Sequence, residues 1–284
     1  MAELDAITPW EALERAIAPF YPAEGSTGRP HKGLTRRLRM YVAQQCFSFS
    51  DEGTEEAIYD SQAIRHFIGV DLGRETAPDA TTLLQFRHRL ERHQLTEAIF
   101  NTIHAHLAEP GLFLREGTLV DATLIAAPPS TKNKEGKRDP DMHSSKKRNP
   151  WHFGMKAPIG VDAHSGLVHT LIGTAGHVSD IRQAEALLHG ETLVVWHVAM
   201  RPGKRRALDQ SPEAEQQEGR EQTKASLRAN VEHPFPVVKN LFHHRKVRYK
   251  GLAKHTSPLF SLFGLAHWRL ARRWFLPAGG KVAF

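Results

Sequence analysis

The chain of 284 residues is short of several things, and each shortage removes a class of protein. Cys46 is its single cysteine, so it makes no internal disulfide and has no cysteine set for a zinc ribbon or finger. No uninterrupted apolar run reaches membrane-spanning length; residues 258–278 come nearest and are broken by His267, Arg269, Arg272 and Arg273. The first residues, MAELDAITPWEALE, are acidic and lack the basic-then-apolar layout of an export signal, which predicts a protein of the reducing cytoplasm. Arg201-Pro-Gly-Lys204 has neither the upstream glycine nor the following Ser or Thr of a phosphate-binding loop. The eighteen histidines include no His-Glu-x-x-His helix, and His243-His244 has no cysteine beside it. With 40% hydrophobic residues the chain can still bury a sizeable core.

One further absence is local. Residues 233–284 contain ten Lys and Arg and not a single Asp or Glu. The 232 residues before them hold 28 basic groups against 31 acidic ones, so the whole excess of the +7 net charge sits in the last fifth of the chain. A one-signed stretch suits a polyanion, nucleic acid first and an anionic membrane surface second. A solvated basic helix has the same composition, and charge alone does not separate the two.

Residues 1–115 read as helical. Residues 34–42 set apolar groups at helical spacing between arginines, residues 55–68 repeat the pattern, and residues 80–93 follow Pro78-Asp79, where Asp79 is placed to cap the first turn. A fourth helix is predicted over 96–108, stopping at Pro110-Gly111. The period then changes. Residues 117–127, GTLVDATLIAA, are apolar on both faces and predict a central strand. A basic linker spans 132–149, and residues 153–161 and 167–173 read as two strands joined by a turn at Asp162-Ala-His-Ser-Gly166. Ser179 or Asp180 is expected to cap a helix running to 188, residues 192–200 read as another strand, and residues 202–223 as an exposed loop. Helices over 224–241 and 258–274 close the chain. The order predicts an α/β layer with a mixed sheet behind an all-α N-terminal region.

Two acids stand out. Asp is depleted in strands, and an ionised Asp121 among Leu119, Val120, Leu124 and Ile125 costs several kcal/mol unless it is paired or holds a cation. It is either a structural Asp on a partly wet strand or a hard-cation ligand. In Arg228-Ala-Asn-Val-Glu232, continued to Lys239, the charged groups share one helix side opposite Val231, Phe235 and Val238. That is either a surface Arg–Glu pair or a carboxylate aimed at a site and flanked by phosphate-holding cations.

At these residues the chain resembles bacterial insertion-sequence transposases of the DDE type, in the insertion-sequence-five group. The resemblance rests on VDATLIAAP, FGMK-x-x-IGVDAHSGLVHT, TAGHVSDIRQAEALLHG, WHVAMRPGKRR, the Arg-x3-Glu-x6-Lys helix and KVRYKGLAK. YVAQQCFSFSD, EEAIYDSQAIRHFIGVDLG and PDATTLLQFRHRLE resemble that group's helical N-terminal domain. It implies a ribonuclease-H-like α/β catalytic fold over 116–250, preceded by a helical DNA-binding or assembly domain over 1–115 and followed by a basic C-terminal helix over 251–284. Asp121 matches the family's first acid, Glu232 its third, and Arg228 and Lys239 the basic partners. Three such carboxylates would hold two Mg²⁺ (or Mn²⁺) ions ~3.5–4 Å apart for in-line phosphoryl transfer. The implied partner is double-stranded DNA, the element's terminal inverted repeats and its target, bound by a homo-oligomer at the nucleoid in the cytoplasm. Arg228, Lys239, Arg245, Lys246, Arg248 and Lys250 are then the expected DNA contacts.

The chain departs from the family pattern at the second acid. The strand beginning Leu193-Val194-Val195 runs directly into Trp196-His197-Val198, which matches the family's next strand, as if an internal deletion between 195 and 196 had removed the acid and its loop. Asp162 and Asp180 do not match its position. Pro236 falls one turn after Glu232, where its ring opposes the Glu232 carbonyl, and Pro158 interrupts a strand expected to be interior. The reading is a DNA transposase copy with impaired catalysis. Its rival is a non-catalytic DNA-binding derivative acting as an inhibitor or inactive partner.

Overall fold

The computed structural model describes residues 1–21, 33–109, 111–112, 117–147, 149–188, 194–200, 202–209 and 211–275. Helices fill the first part: α1 Ala2–Ile7, α2 Trp10–Ile17, α3 Leu34–Phe47, α4 Asp51–Asp60, α5 Gln62–Ile68, α6 Ala80–Arg92 and α7 Leu95–Ala108. The starts of α4, α5 and α6 are set by side chains that accept orphan backbone N–H groups. Ser50 Oγ accepts from Gly53 N at 2.8 Å, and Asp79 Oδ1 accepts from Thr82 N at 2.7 Å, the cap expected at that position. Arg87 binds both carboxylate oxygens of Asp51, at 2.6 and 2.9 Å, and so ties α6 to α4. Burial alone would raise the Asp51 pKa. Hydrogen bonds from Arg87 and Gln44 outweigh it and hold the carboxyl below its ordinary range.

The sheet has five strands: β1 Thr118–Ala126, β2 His143–Lys146, β3 Trp151–Asp162, β4 Val168–Leu171 and β5 Thr174–Ala175. Every strand pair is antiparallel, so the expected mixed sheet is corrected; the parallel pairing among the described residues is one bridge, Ala126 to Lys246. β3 lies in the middle. β1 runs along one side of it, and β2, β5 and β4 succeed one another along the other. The 162–166 turn forms as expected: Asp162 Oδ1 accepts from His164 N, Ser165 N and Ser165 Oγ, and Gly166 takes φ +72°.

Pro158 does not break β3. It faces Ala122 across a non-hydrogen-bonded position, and its missing N–H points to the other side, where the neighbouring strand pauses at Ile172-Gly173 between β4 and β5. The Pro158 carbonyl is still used, by Ile172 N at 3.0 Å. Residues 180–183 and 185–187 form two 3-10 turns rather than the expected α-helix. Those turns lie on the sheet so tightly that a Cβ on Gly160 would meet the Leu187 carbonyl at 2.3 Å.

Three expectations fail after residue 190. Residues 194–200 form no strand; they are irregular, with Val195 78%, Val198 69% and Trp196 49% exposed, while 192 and 193 lie outside the described residues. The predicted loop over 202–223 is instead α8 Pro202–Arg206 and the first half of α9 Pro212–Glu232, which Ser211 caps through Ala214 N. The predicted helix over 224–241 stops at Glu232. A short turn, α10 Pro234–Pro236, and a π-helical turn, Val237–Leu241, follow it. Pro236 has no N–H for the Glu232 carbonyl, and the backbone widens to a five-residue bond, Phe242 N to Val237 O at 2.9 Å.

α11 Leu252–Phe275 is the last described helix and holds the two halves together. Leu259, Leu262, Phe263, Ala266 and Trp268 are buried in a hydrophobic cluster that also takes in α2, α3, α6, α7 and the sheet. Tyr41 of α3 donates to Ser261 Oγ at 3.0 Å, and His267 Nε2 accepts Val168 N of β4 at 3.0 Å. A Cβ on Gly264 would press on the Ile103 Cδ1 methyl of α7 at 3.1 Å and stand in ordinary contact with the Phe100 backbone at 3.5 Å.

Candidate active site

β1 reads as a central strand, yet among the described residues its outer side carries only a short backbone partner. Ala126 exchanges hydrogen bonds with the 245–247 segment: Ala126 N donates to Arg245 O at 3.2 Å and Val247 N to Ala126 O at 2.9 Å. By alternation, the N–H and C=O groups of Leu124, Ala122 and Val120 face the same way. Side chains serve two of them. Lys239 Nζ donates to the Leu124 carbonyl at 2.6 Å, and Ala122 N donates to Asp121 Oδ1 at 2.9 Å.

Asp121 is therefore occupied. Besides the Ala122 amide, its two oxygens accept from Arg228 Nη2 at 3.3 Å each. The carboxylate is 16% exposed and the guanidinium side chain 55%, so the pair lies at the sheet rim, half in water. Arg228 stands one helical turn before Glu232 on α9 and turns to Asp121 rather than to Glu232. The pair ties α9 to β1 and leaves Glu232, one turn further on, out of the contact. Glu232 is exposed at the last residue of α9, and no hydrogen bond or ion pair reaches it among the described residues.

The expected cations divide by task. Lys239 is half-buried; burial first, then repulsion from Lys147 and Arg245, lowers its pKa below that of an ordinary lysine. Arg245 donates to the Lys239 carbonyl at 3.2 Å and to Asn240 Oδ1 at 2.8 Å, and remains exposed. Lys246 is exposed beside it. Arg248 donates to the carbonyls of Ser48 and Phe49 and to Ser48 Oγ, closing the C-terminus of α3, while Lys250 pairs with Glu135 at 2.7 Å. In the sequence Lys239 stands out through the family resemblance, and Arg245, Lys246, Arg248 and Lys250 through charge. Nothing there shows that Arg248 would hold a helix end or that Lys239 would cap a strand. Lys147, close enough to lower the Lys239 pKa, lies in the basic stretch over 132–149, where no motif singles it out in the sequence.

Residues 112–267 match the family described as Transposase DDE domain, and residues 1–89 match a second, Transposase domain (DUF772). The chain belongs to the DDE transposase family. No solved structure matches it. The matched residues of the DDE domain start just before β1 and run into α11, so they contain both Asp121 and Glu232.

Membership of the DDE transposases carries an expectation of divalent metal. The donor set here does not fit a two-ion clamp. Asp121 is bound by an arginine and by its own strand, and Glu232 stands alone. Asp162, 2% exposed, is consumed by its turn, and Asp180 takes Lys156 Nζ at 3.0 Å. Among the described residues no three His, Cys, Asp or Glu side chains converge in a way that could hold an ion. Nor is any helix among them long and apolar enough to cross a membrane.

Proposed function

We propose that this chain is an insertion-sequence transposase of the insertion-sequence-five group that binds DNA without completing the cut. Its catalytic region is a ribonuclease-H-like layer that has lost a strand and the acid after it, by a deletion between 195 and 196. The helical region over 1–115 and the cations Arg245 and Lys246 serve binding to the element's terminal repeats, with a homo-oligomer as the working form on the DNA. The observation that carries this reading is the state of Asp121. A carboxylate expected to hold a metal accepts instead from Arg228 and the Ala122 amide, on a strand whose outer edge pairs, among the described residues, only with 245–247.

Residues 194–200 support the same history. Val194-Val195-Trp196-His197-Val198 is a β-prone segment that lies exposed; Lys224 Nζ donates to the Val198 carbonyl and Glu221 accepts from Met200 N. A segment made to be buried in a sheet has no place in this one. Such a chain acts on intact copies by competing for DNA ends or by joining their assemblies.

Binding is tested by titrating labelled end DNA across a range of salt. Phosphate contacts give a linear fall of log K with log salt, and Arg245→Ala and Lys246→Ala should each reduce the slope by about 1. No measurable binding at low salt, or a slope that both variants leave unchanged, would remove the reading.

A further inference from the structure

At the end of the sheet where β2 meets β3, an aromatic ring stands in solvent with no packing to explain it. Trp151 is 69% exposed, although burying an indole is among the larger apolar gains open to a chain. It is not on a loose loop. It is the first residue of β3, directly opposite Lys146 of β2, and the turn between them is closed by Lys147 N donating to the Pro150 carbonyl at 3.2 Å. Direct cross-strand partners share a face, so the indole and the Lys146 side chain stand side by side on a fixed ladder.

The surroundings are cationic. Lys147 lies near enough to Lys239 to count among the charges that lower its pKa, as does Arg245. Lys246 bridges to Ala126, which faces Gly154, three residues from Trp151. Arg138 lies over the Phe153 ring at 5.4 Å. The acids of the preceding linker are engaged elsewhere: Glu135 by Lys250, Asp139 by Gly251 N at 2.8 Å, and Asp141 by Leu252 N at 3.0 Å.

A ring held outward among lysines matches one kind of ligand. Cations bind the phosphates of a strand while the ring stacks on a base, and stacking needs no particular sequence because every base has a π face. Paired bases are already stacked within the duplex, so the ring finds a partner only where a base is unpaired. We propose that the β2–β3 hairpin is a DNA-contact element in which Trp151 stacks on an unpaired base and Lys146 and Lys147 hold the flanking phosphates. This rests on the DNA-binding reading above and adds a preference that basic residues alone do not give.

The test uses the full chain and two DNAs, one fully paired and one with a single bulged 2-aminopurine. Wild type should prefer the bulged DNA by about five- to hundredfold, the range that base–aromatic stacking spans, and should quench the probe. Trp151→Ala should abolish the preference and the quenching while binding the paired duplex within about twofold of wild type, since an exposed side chain contributes little to folding. Trp151→Phe should keep most of the preference. If Trp151→Ala still prefers and quenches the bulged DNA, the hairpin proposal is wrong. If wild type binds both DNAs equally, the proposal fails while the DNA-binding reading stands; if it binds neither, both fail. Binding of the hairpin to anionic vesicles in place of either DNA would also overturn it.

Discussion

Lys239 answers a backbone demand with a side chain. The Leu124 carbonyl points away from β3, and the lysine ammonium reaches it at 2.6 Å from the π-helical turn that follows Pro236. Lys239→Met keeps the stem and leaves the carbonyl without its donor, so we expect a loss of about 1–3 kcal/mol in urea unfolding. A loss within error would mean that water serves the carbonyl as well. The buried histidines set a pH dependence. His244, for which burial first and then Arg248 and His255 disfavour the charge, titrates at about 4, and buried His267 at about 3, both below the ordinary 6.5. The unfolded chain therefore binds more protons than the folded one below pH 6.5, and stability should fall as the pH drops from 6.5 towards 4. Thermal melts between pH 7 and pH 4 check this; a flat midpoint would show that the imidazoles gain protons without resistance. At this scale residue chemistry was legible. Asp121 and Glu232 could be singled out from type and pattern, whereas the Arg228 partnership could not, because it depends on the angle at which α9 meets β1.

Among the elements, legibility followed the strength of the apolar period. The helices of the first 108 residues alternate apolar and polar groups at helical spacing, and those expected over 34–42, 80–93 and 96–108 appear within a few residues of their places, while the run over 55–68 is divided between α4 and α5 at Ser61. Residues 212–223 carry almost no apolar period. Their helix rests on the propensity of Glu, Gln, Arg and Ala and on a capped start, which is why they read as a loop. Ser211→Ala removes that cap and should lower stability by about 1 kcal/mol, seen as a reduced helical signal and an earlier melt; an unchanged melt would show that Pro212 alone fixes the start. β1 misled in the opposite way. Its two apolar faces describe a central strand, while among the described residues only 245–247 pair with its outer edge. An apolar strand with a largely open edge and an exposed Val-Val-Trp-His-Val segment in one chain invites association. Replacing Val195 and Val198 by Lys should raise the concentration at which the protein stays monomeric in light scattering and leave the melting temperature unchanged. A fall in melting temperature would show that the segment packs after all.

Over the whole molecule, charge and core tell different stories about the same C-terminal stretch. By composition it is a basic tail; in the fold α11 is a core element, with His255, His267 and Ser261 buried among its apolar residues. The exposed cations Arg245 and Lys246 lie before it, beside the end of β1. On the reading proposed above, they serve DNA binding next to a catalytic centre short of one carboxylate and with another engaged. The direct test is strand cleavage of the element's own end DNA at saturating protein, in Mg²⁺ and in Mn²⁺. The account predicts a bound complex with no nicks above background. Nicking at the element's end that disappears in Asp121→Ala would contradict it.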